Sequence, residues 1–321
     1  MRSSRALALS ALLLALPAAP SSARSDARHD LDLPRVARLL APPASLTAGD
    51  GPAAAEFRRR YPWRIPRATE NRPDAGGPLV HVVYLTTKNQ PAPALDRLGI
   101  LEDSVRSQDA WLSEQAGLRW RLDVFSFRAP HRRRPVRAID VTFVDSGARS
   151  EDLTTLADVE AVLTAHGLSD PEKRYLVYAA TDAGSVCGEG DYPLSDDPNE
   201  VGRYSAVYLY SDEGCGGLDL APDRRTPSWA ESIAQQELMH NDGAVPLAAP
   251  HDCKPAATGH VCTPALVSLG GDPEMEDVMF PYASGPLAAK VLDRGRDDYF
   301  KHGLPLRDLA DSPYLLVAGR P

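Results

Sequence analysis

Hydrophobic and polar positions begin to alternate in an organised way at residue 79. Leu79-Val80-His81-Val82-Val83-Tyr84-Leu85 is a β-branched run preceded by Gly-Gly-Pro, the pattern of a buried strand. Leu95, Leu98, Leu101, Val105, Trp111 and Leu112 then recur at three- to four-residue steps and predict a helix over 94–116. Trp120 to Phe125 and Ile139 to Val144 alternate as half-buried strands do. A further helix is predicted from Ser150 to His166 with Ser150 as its N-cap. Tyr175 to Ala180 and Ala206 to Tyr210 are two more apolar strands. The order β-α-β-β-α-β-β, with a helix still to follow, predicts an α/β (α+β) domain with a mixed sheet.

The next helix starts near Thr226, a good N-cap, with Pro227 in its first turn, and spans about 227–242, where Gly243 can terminate it. Beyond it prolines and glycines dominate to about residue 290, which predicts an irregular C-terminal region. Before the domain, residues 24–77 are rich in proline and alanine, carry the basic patch Arg58-Arg59-Arg60 and show little periodicity. They read as a loosely packed leader or pro-segment, so the domain is expected over 78–321.

The N-terminus changes the picture of where the chain works. A basic start, Met1-Arg2-Ser3-Ser4-Arg5, precedes an apolar run from Ala6 to Leu16 and small residues ending Ser21-Ser22-Ala23. This is the layout of a signal peptide over 1–23, and the apolar run of about 11 residues is short of the about 20 that span a bilayer. The expected location is therefore extracellular, with no membrane span. The 321 residues carry 35 Lys and Arg against 44 Asp and Glu, a net charge of −9. Loss of Arg2 and Arg5 with the signal peptide makes this −11. Such an acidic chain is not expected to bind nucleic acid, whose affinity rests on basic surface. Four cysteines in an exported chain suggest two disulfides, most simply 187–215 and 253–262.

Candidate chemistry concentrates on the late helix, which reads Gln236-Glu237-Leu238-Met239-His240-Asn241-Asp242-Gly243-Ala244-Val245. Positions 236 and 240 lie one turn apart on a single helix face, the spacing of a two-ligand metal site, with Glu237 placed to polarise a metal-bound water. Three of the chain's eight histidines, His240, His251 and His260, fall in this region. Two acidic segments, 196–200 and 272–277, offer oxygen ligands of the kind calcium takes, against the simpler reading of solvated loops.

Taken with Ala249-Pro250-His251, Gly259-His260-Val261-Cys262 and Asp277-Val278-Met279, the helix segment resembles the zincin-type, metzincin-like secreted bacterial metallopeptidase-like proteins. Those carry HExxHxxGAV, APH, GHC and DxM segments in the same order. The resemblance covers about 78–302. It implies a zincin-like fold with an active-site helix, a zinc cofactor and a peptide or protein substrate. It further implies His240 as a metal ligand, Glu237 as the general base and Met279 as the methionine turn beneath the metal. Three positions depart from the pattern. Gln236 stands where the first histidine belongs, Pro246 stands at the usual third-ligand position, and the cysteine segment is one residue longer. Zinc in a catalytic site takes about three protein ligands and a water, so with His251 and His260 as the available replacements the expected set is His240 and His251, completed by one of Gln236 or His260, and Gln236 is a weak ligand. Two functions stay open: metal-dependent peptide hydrolysis, and a zincin-fold pseudoenzyme serving as an extracellular binding module.

Overall fold

A computed structural model describes residues 65–70, 72, 76–90, 94–130, 132–192, 202–211, 229–254, 257–263, 272–281 and 285–319. The expected signal peptide over 1–23, most of the expected leader, the acidic segment 196–200, Cys215 and the helix start expected at Thr226-Pro227 lie outside these residues.

A five-stranded sheet forms the centre. It comprises β1 (Leu79–Thr86), β5 (Val141–Asp145), β6 (Lys173–Ala179), β7 (Gly188–Gly190) and β8 (Tyr204–Tyr208), in the order β5-β1-β6-β8-β7. The first four are mutually parallel and β7 runs antiparallel at one edge. Both faces are covered, which is why β6 is buried at every residue and why the strands read as apolar runs. One face carries Val80, Val82, Tyr84, Leu176 and Tyr178, packed with residues of α1 (Ile100–Ala116) and α3 (Trp229–Asn241). The other carries Val83, Leu85, Tyr175, Val177 and Tyr208, packed against Val159 and Leu163 of α2 (Leu156–Ala165). The protein is thus a mixed α/β fold with a mostly parallel sheet and a disulfide-closed C-terminal region, as its sequence pattern implies.

Several boundaries move for local reasons. The helix expected over 94–116 begins at Ile100, because Gly99 at φ 74° turns the chain first. The single strand expected over 120–125 is two, β2 (Leu118–Trp120) and β3 (Val124–Phe127). Between them Leu122 bridges to Val80, and the buried Asp123 carboxylate takes His81 Nδ1 at 2.8 Å and Lys173 Nζ at 2.9 Å. The strand expected over 139–144 likewise splits at Asp140 into β4 (Val136–Ile139) and β5. Asp140 donates its N–H to the Asp123 carbonyl and pairs its carboxylate with Arg72. The helix expected from Ser150 begins at Leu156 behind a short 3₁₀ turn, Ser150–Asp152. Its N-cap is Thr155, which forms a reciprocal capping box with Asp158. Ser150 instead receives the Asp182 N–H on its hydroxyl and shares a hydrogen bond with Thr181.

Upstream of residue 78, Ile65 and Ala68 are buried and Arg67 grips Asp96 through two hydrogen bonds of 2.6 and 2.8 Å. Downstream of α3, β9 (Asp252–Cys253) and β10 (Ala257–Val261) form a short antiparallel hairpin closed by the Cys253–Cys262 disulfide. Cys187 is disulfide-bonded as well. No helix among the described residues is long and apolar enough to cross a membrane.

Candidate functional site

Helix α3 is buried from Ala230 to Asn241, yet much of it is polar: Glu231, Ser232, Gln235, Gln236, Glu237, His240 and Asn241. A helix enclosed on all sides is ordinarily hydrophobic all round. Each enclosed polar group needs a partner or a purpose. Gln235 accepts the Trp120 indole N–H at 3.2 Å, and Ser205 of β8 donates to the Glu237 carbonyl at 2.9 Å. Gln236 donates its side-chain amide to the Phe280 carbonyl at 2.9 Å.

The strand beside this helix is built to let it in. A side chain at Gly188 would meet Ile233 at 2.5 Å, and one at Gly190 would meet the Glu237 carbonyl oxygen at 2.5 Å and His240 Cβ at 3.0 Å. Glu189, between them, accepts from the Leu156 N–H and from the Tyr208 hydroxyl. At the helix end Gly243 adopts φ 72° and returns its N–H to His240. A side chain there would also collide with the Arg307 guanidinium, so only glycine serves.

Two of the candidate ligands come together. His240 Nε2 lies 3.2 Å from His260 Nε2, the rings packed edge to face, with the Tyr192 ring against His240 on another side. Burial, with His260 adding to it, holds His240 well below the ordinary imidazole range, so it stays neutral with a lone pair available. Two imidazole nitrogens, each about 2.0–2.1 Å from a tetrahedral zinc, stand about 3.3 Å apart, so the pair has the spacing of two zinc ligands. Glu237, one turn away, is pushed up to about 8 by burial and by the Glu189 charge. The donor chemistry therefore fits zinc at two positions. No third imidazole, thiolate or carboxylate atom of the described residues joins both within 4.8 Å.

No known protein family matches the chain, and no curated protein does.

His251 is placed apart from that pair. Its backbone N–H donates to Asp298 Oδ1 at 2.8 Å, its Nδ1 lies 3.0 Å from Asp298 Oδ2, and Asp297 stands at 3.9 Å. Spacing along the chain carried no sign of Asp298 as its partner, because the two are 47 residues apart. Met279 is fully buried, held by Asp277 through its N–H and by the Val261 N–H on its carbonyl, so it braces the segment that follows His260. Pro246 follows Val245, whose φ is 57° and whose carbonyl takes the Tyr192 hydroxyl at 2.6 Å.

A second His–Asp group, His81 with Asp123 and Asp140, is already neutralised. Lys173 and Arg72 oppose its carboxylates, and both ring nitrogens of His81 are occupied, by Asp123 and by Thr142 at 2.8 Å each. It is a structural network at the heart of the sheet.

Proposed function

We propose that the chain is an exported, zincin-like metal-dependent hydrolase of peptide bonds, with zinc held by His240 and His260 and Glu237 as the proton-transferring group. The 3.2 Å separation of the two Nε2 atoms carries this reading, because it is the bite of a tetrahedral ion on a neutral imidazole pair. The bound metal would supply Lewis-acid polarisation of a carbonyl and acidification of a water. The protein supplies the rest. Burial and the Glu189 charge push Glu237 up to about 8, far above an ordinary carboxyl group, so once ionised it can accept a proton from a nucleophile and return it to a leaving amine. The Ser205 bond to its backbone carbonyl and the glycine strand alongside fix the helix that carries it. Burial of His240 and Glu237 keeps the proton transfer away from bulk water. The disulfide and the absence of a spanning helix among the described residues agree with an extracellular location.

A second reading, an inactive zincin-fold module that binds a protein partner, is favoured by two observations. The Gln236 amide is tied to Phe280, and His240 Nδ1 is buried without a hydrogen-bond partner, whereas metal-bound histidines ordinarily donate that N–H to a neighbour. The two readings separate on one pair of measurements. Zinc content of the full chain is expected to fall by one equivalent in His260→Ala. Glu237→Gln is expected to keep the metal and lose at least about a hundredfold in cleavage of a denatured protein substrate. Zinc content unchanged in His260→Ala refutes the metal centre. Zinc lost there, with no cleavage detectable even in the wild type, establishes the binding module.

A further inference from the structure

The loop that receives His251 is organised around one carboxylate. Asp293 accepts the backbone N–H groups of Asp297 and Asp298 at 3.3 Å each, of Tyr299 at 2.8 Å and of Phe300 at 2.5 Å. The loop so formed presents Asp297 and Asp298 side by side to the His251 imidazole, with one ligand atom of each of the three within 4.8 Å of the others. Asp298 is 1% exposed in its side chain, Asp297 48% and His251 37%, so one side of the group faces solvent. A fourth acid stands beside it. Asp272 caps the 3₁₀ turn Pro273–Glu276 and takes the Glu274 N–H at 2.9 Å, which fixes Glu274 at the start of that turn. Glu274 is 7% exposed, and its Oε2 is buried with no hydrogen-bond partner.

Asp297 and Asp298 therefore flank one imidazole, and Glu274 acts on it from the neighbouring turn. Arg294 also acts on Glu274, yet burial and the neighbouring acids still raise both Glu274 and Asp298 above the ordinary carboxylate range. His251 in turn feels Glu274, Asp297 and Asp298. The group has more negative charge than its own cations balance and two buried oxygens, Glu274 Oε2 and Asp297 Oδ1, with no hydrogen-bond partner.

We propose that His251, Asp297 and Asp298, with Glu274 beside them, form a second divalent-cation site, separate from the His240–His260 pair. One imidazole nitrogen among carboxylate oxygens selects a first-row transition ion such as zinc or manganese over calcium, which takes oxygen ligands alone. The exposed side leaves room for water to complete the coordination. Such an ion ties the hairpin of β9 and β10 to the loop 293–300 and to the turn at 273–276, three segments that share no regular secondary structure. This explains why the chain places a histidine and three acids together at this point.

The test uses the full chain in the His260→Ala background, which silences the first centre, so the fate of the proposed zinc hydrolase does not bear on the outcome. Manganese titration followed by electron paramagnetic resonance, and zinc content by elemental mass spectrometry after desalting, report the second site. One equivalent of manganese or zinc is expected in that background. Adding Asp297→Asn is expected to weaken it by about tenfold or more, and Glu274→Gln likewise. Asp297 is half exposed, so its substitution leaves folding intact, and circular dichroism checks this for both. Failure of the His260→Ala protein to bind either ion overturns the proposal. So does binding that neither substitution weakens, and so does binding of calcium alone.

Discussion

Gly190→Ala tests the closeness of strand and helix on which the candidate site depends. Gly190 has an ordinary extended backbone, so it is glycine for reasons of space alone. An added Cβ would lie 2.5 Å from the Glu237 carbonyl oxygen and 3.2 Å from its carbonyl carbon, where ordinary contact begins at 3.4 Å. Those are helix backbone atoms and cannot rotate away, so β7 and α3 must part by close to an ångström. Forcing a methyl group into packed structure costs about 1–3 kcal/mol. The same carbonyl accepts the Ser205 hydroxyl, and weakening that bond adds about 0.5–1.5 kcal/mol. A loss of about 2–4 kcal/mol lowers the melting temperature of a domain this large by roughly 5–15 °C. Because His240 Cβ lies 3.0 Å from the added atom, His240 shifts too, and zinc affinity is expected to fall by about tenfold or more. Gly117→Ala is the control: its φ is 67° but nothing lies within 4 Å, so it costs about 1–2 kcal/mol of backbone strain and leaves zinc affinity alone. Thermal unfolding in chelator and zinc titration of both variants give the comparison. A Gly190→Ala protein that melts within a degree of wild type and binds zinc equally well would refute this account of the strand–helix contact.

Gln236→His restores an imidazole one turn from His240 and is expected to raise zinc affinity by at least about tenfold, read by competition with a chromophoric chelator; no gain would mean that position 236 does not face the pair. Arg174→Met strands Asp242, its partner at 3.4 Å, with both side chains only 2% exposed, and is expected to cost about 3–5 kcal/mol in urea unfolding. A cost under about 1 kcal/mol would show that Ser312, which donates to Asp242 at 2.7 Å, satisfies the carboxylate without the arginine. Replacing Cys253 and Cys262 by serine opens a closed loop of about ten residues, expected to cost about 2–3 kcal/mol. It also frees the hairpin carrying His260, so zinc binding weakens with stability; a variant that loses stability alone would place the control of His260 elsewhere.

What the sequence revealed about this molecule tracks how local each determinant is. Strands β1, β6 and β8 are buried on both faces, so their composition alone marks them. Strand β7 escaped because its Gly-Glu-Gly sequence has no apolar alternation; its signal is the spacing of two glycines, which acquires meaning only once a helix lies against it. The split strands followed from Asp123 and Asp140, polar residues in apolar runs whose partners, His81, Lys173 and Arg72, are set by tertiary contact. The same division holds at the candidate site. Glu237 and His240 are legible because a helix fixes their relation in a few residues. Sequence spacing favours His251 over His260 as the ligand beside His240, and the fold places them the other way: β10 carries His260 to His240, while the loop built on Asp293 draws His251 to Asp298. The two proposed metal sites thus depend on two separate structural devices. The hairpin with its disulfide serves the first, and the four backbone N–H groups gathered by Asp293 serve the second. A perturbation of Asp293 should therefore disturb His251 and leave the His240–His260 pair in place.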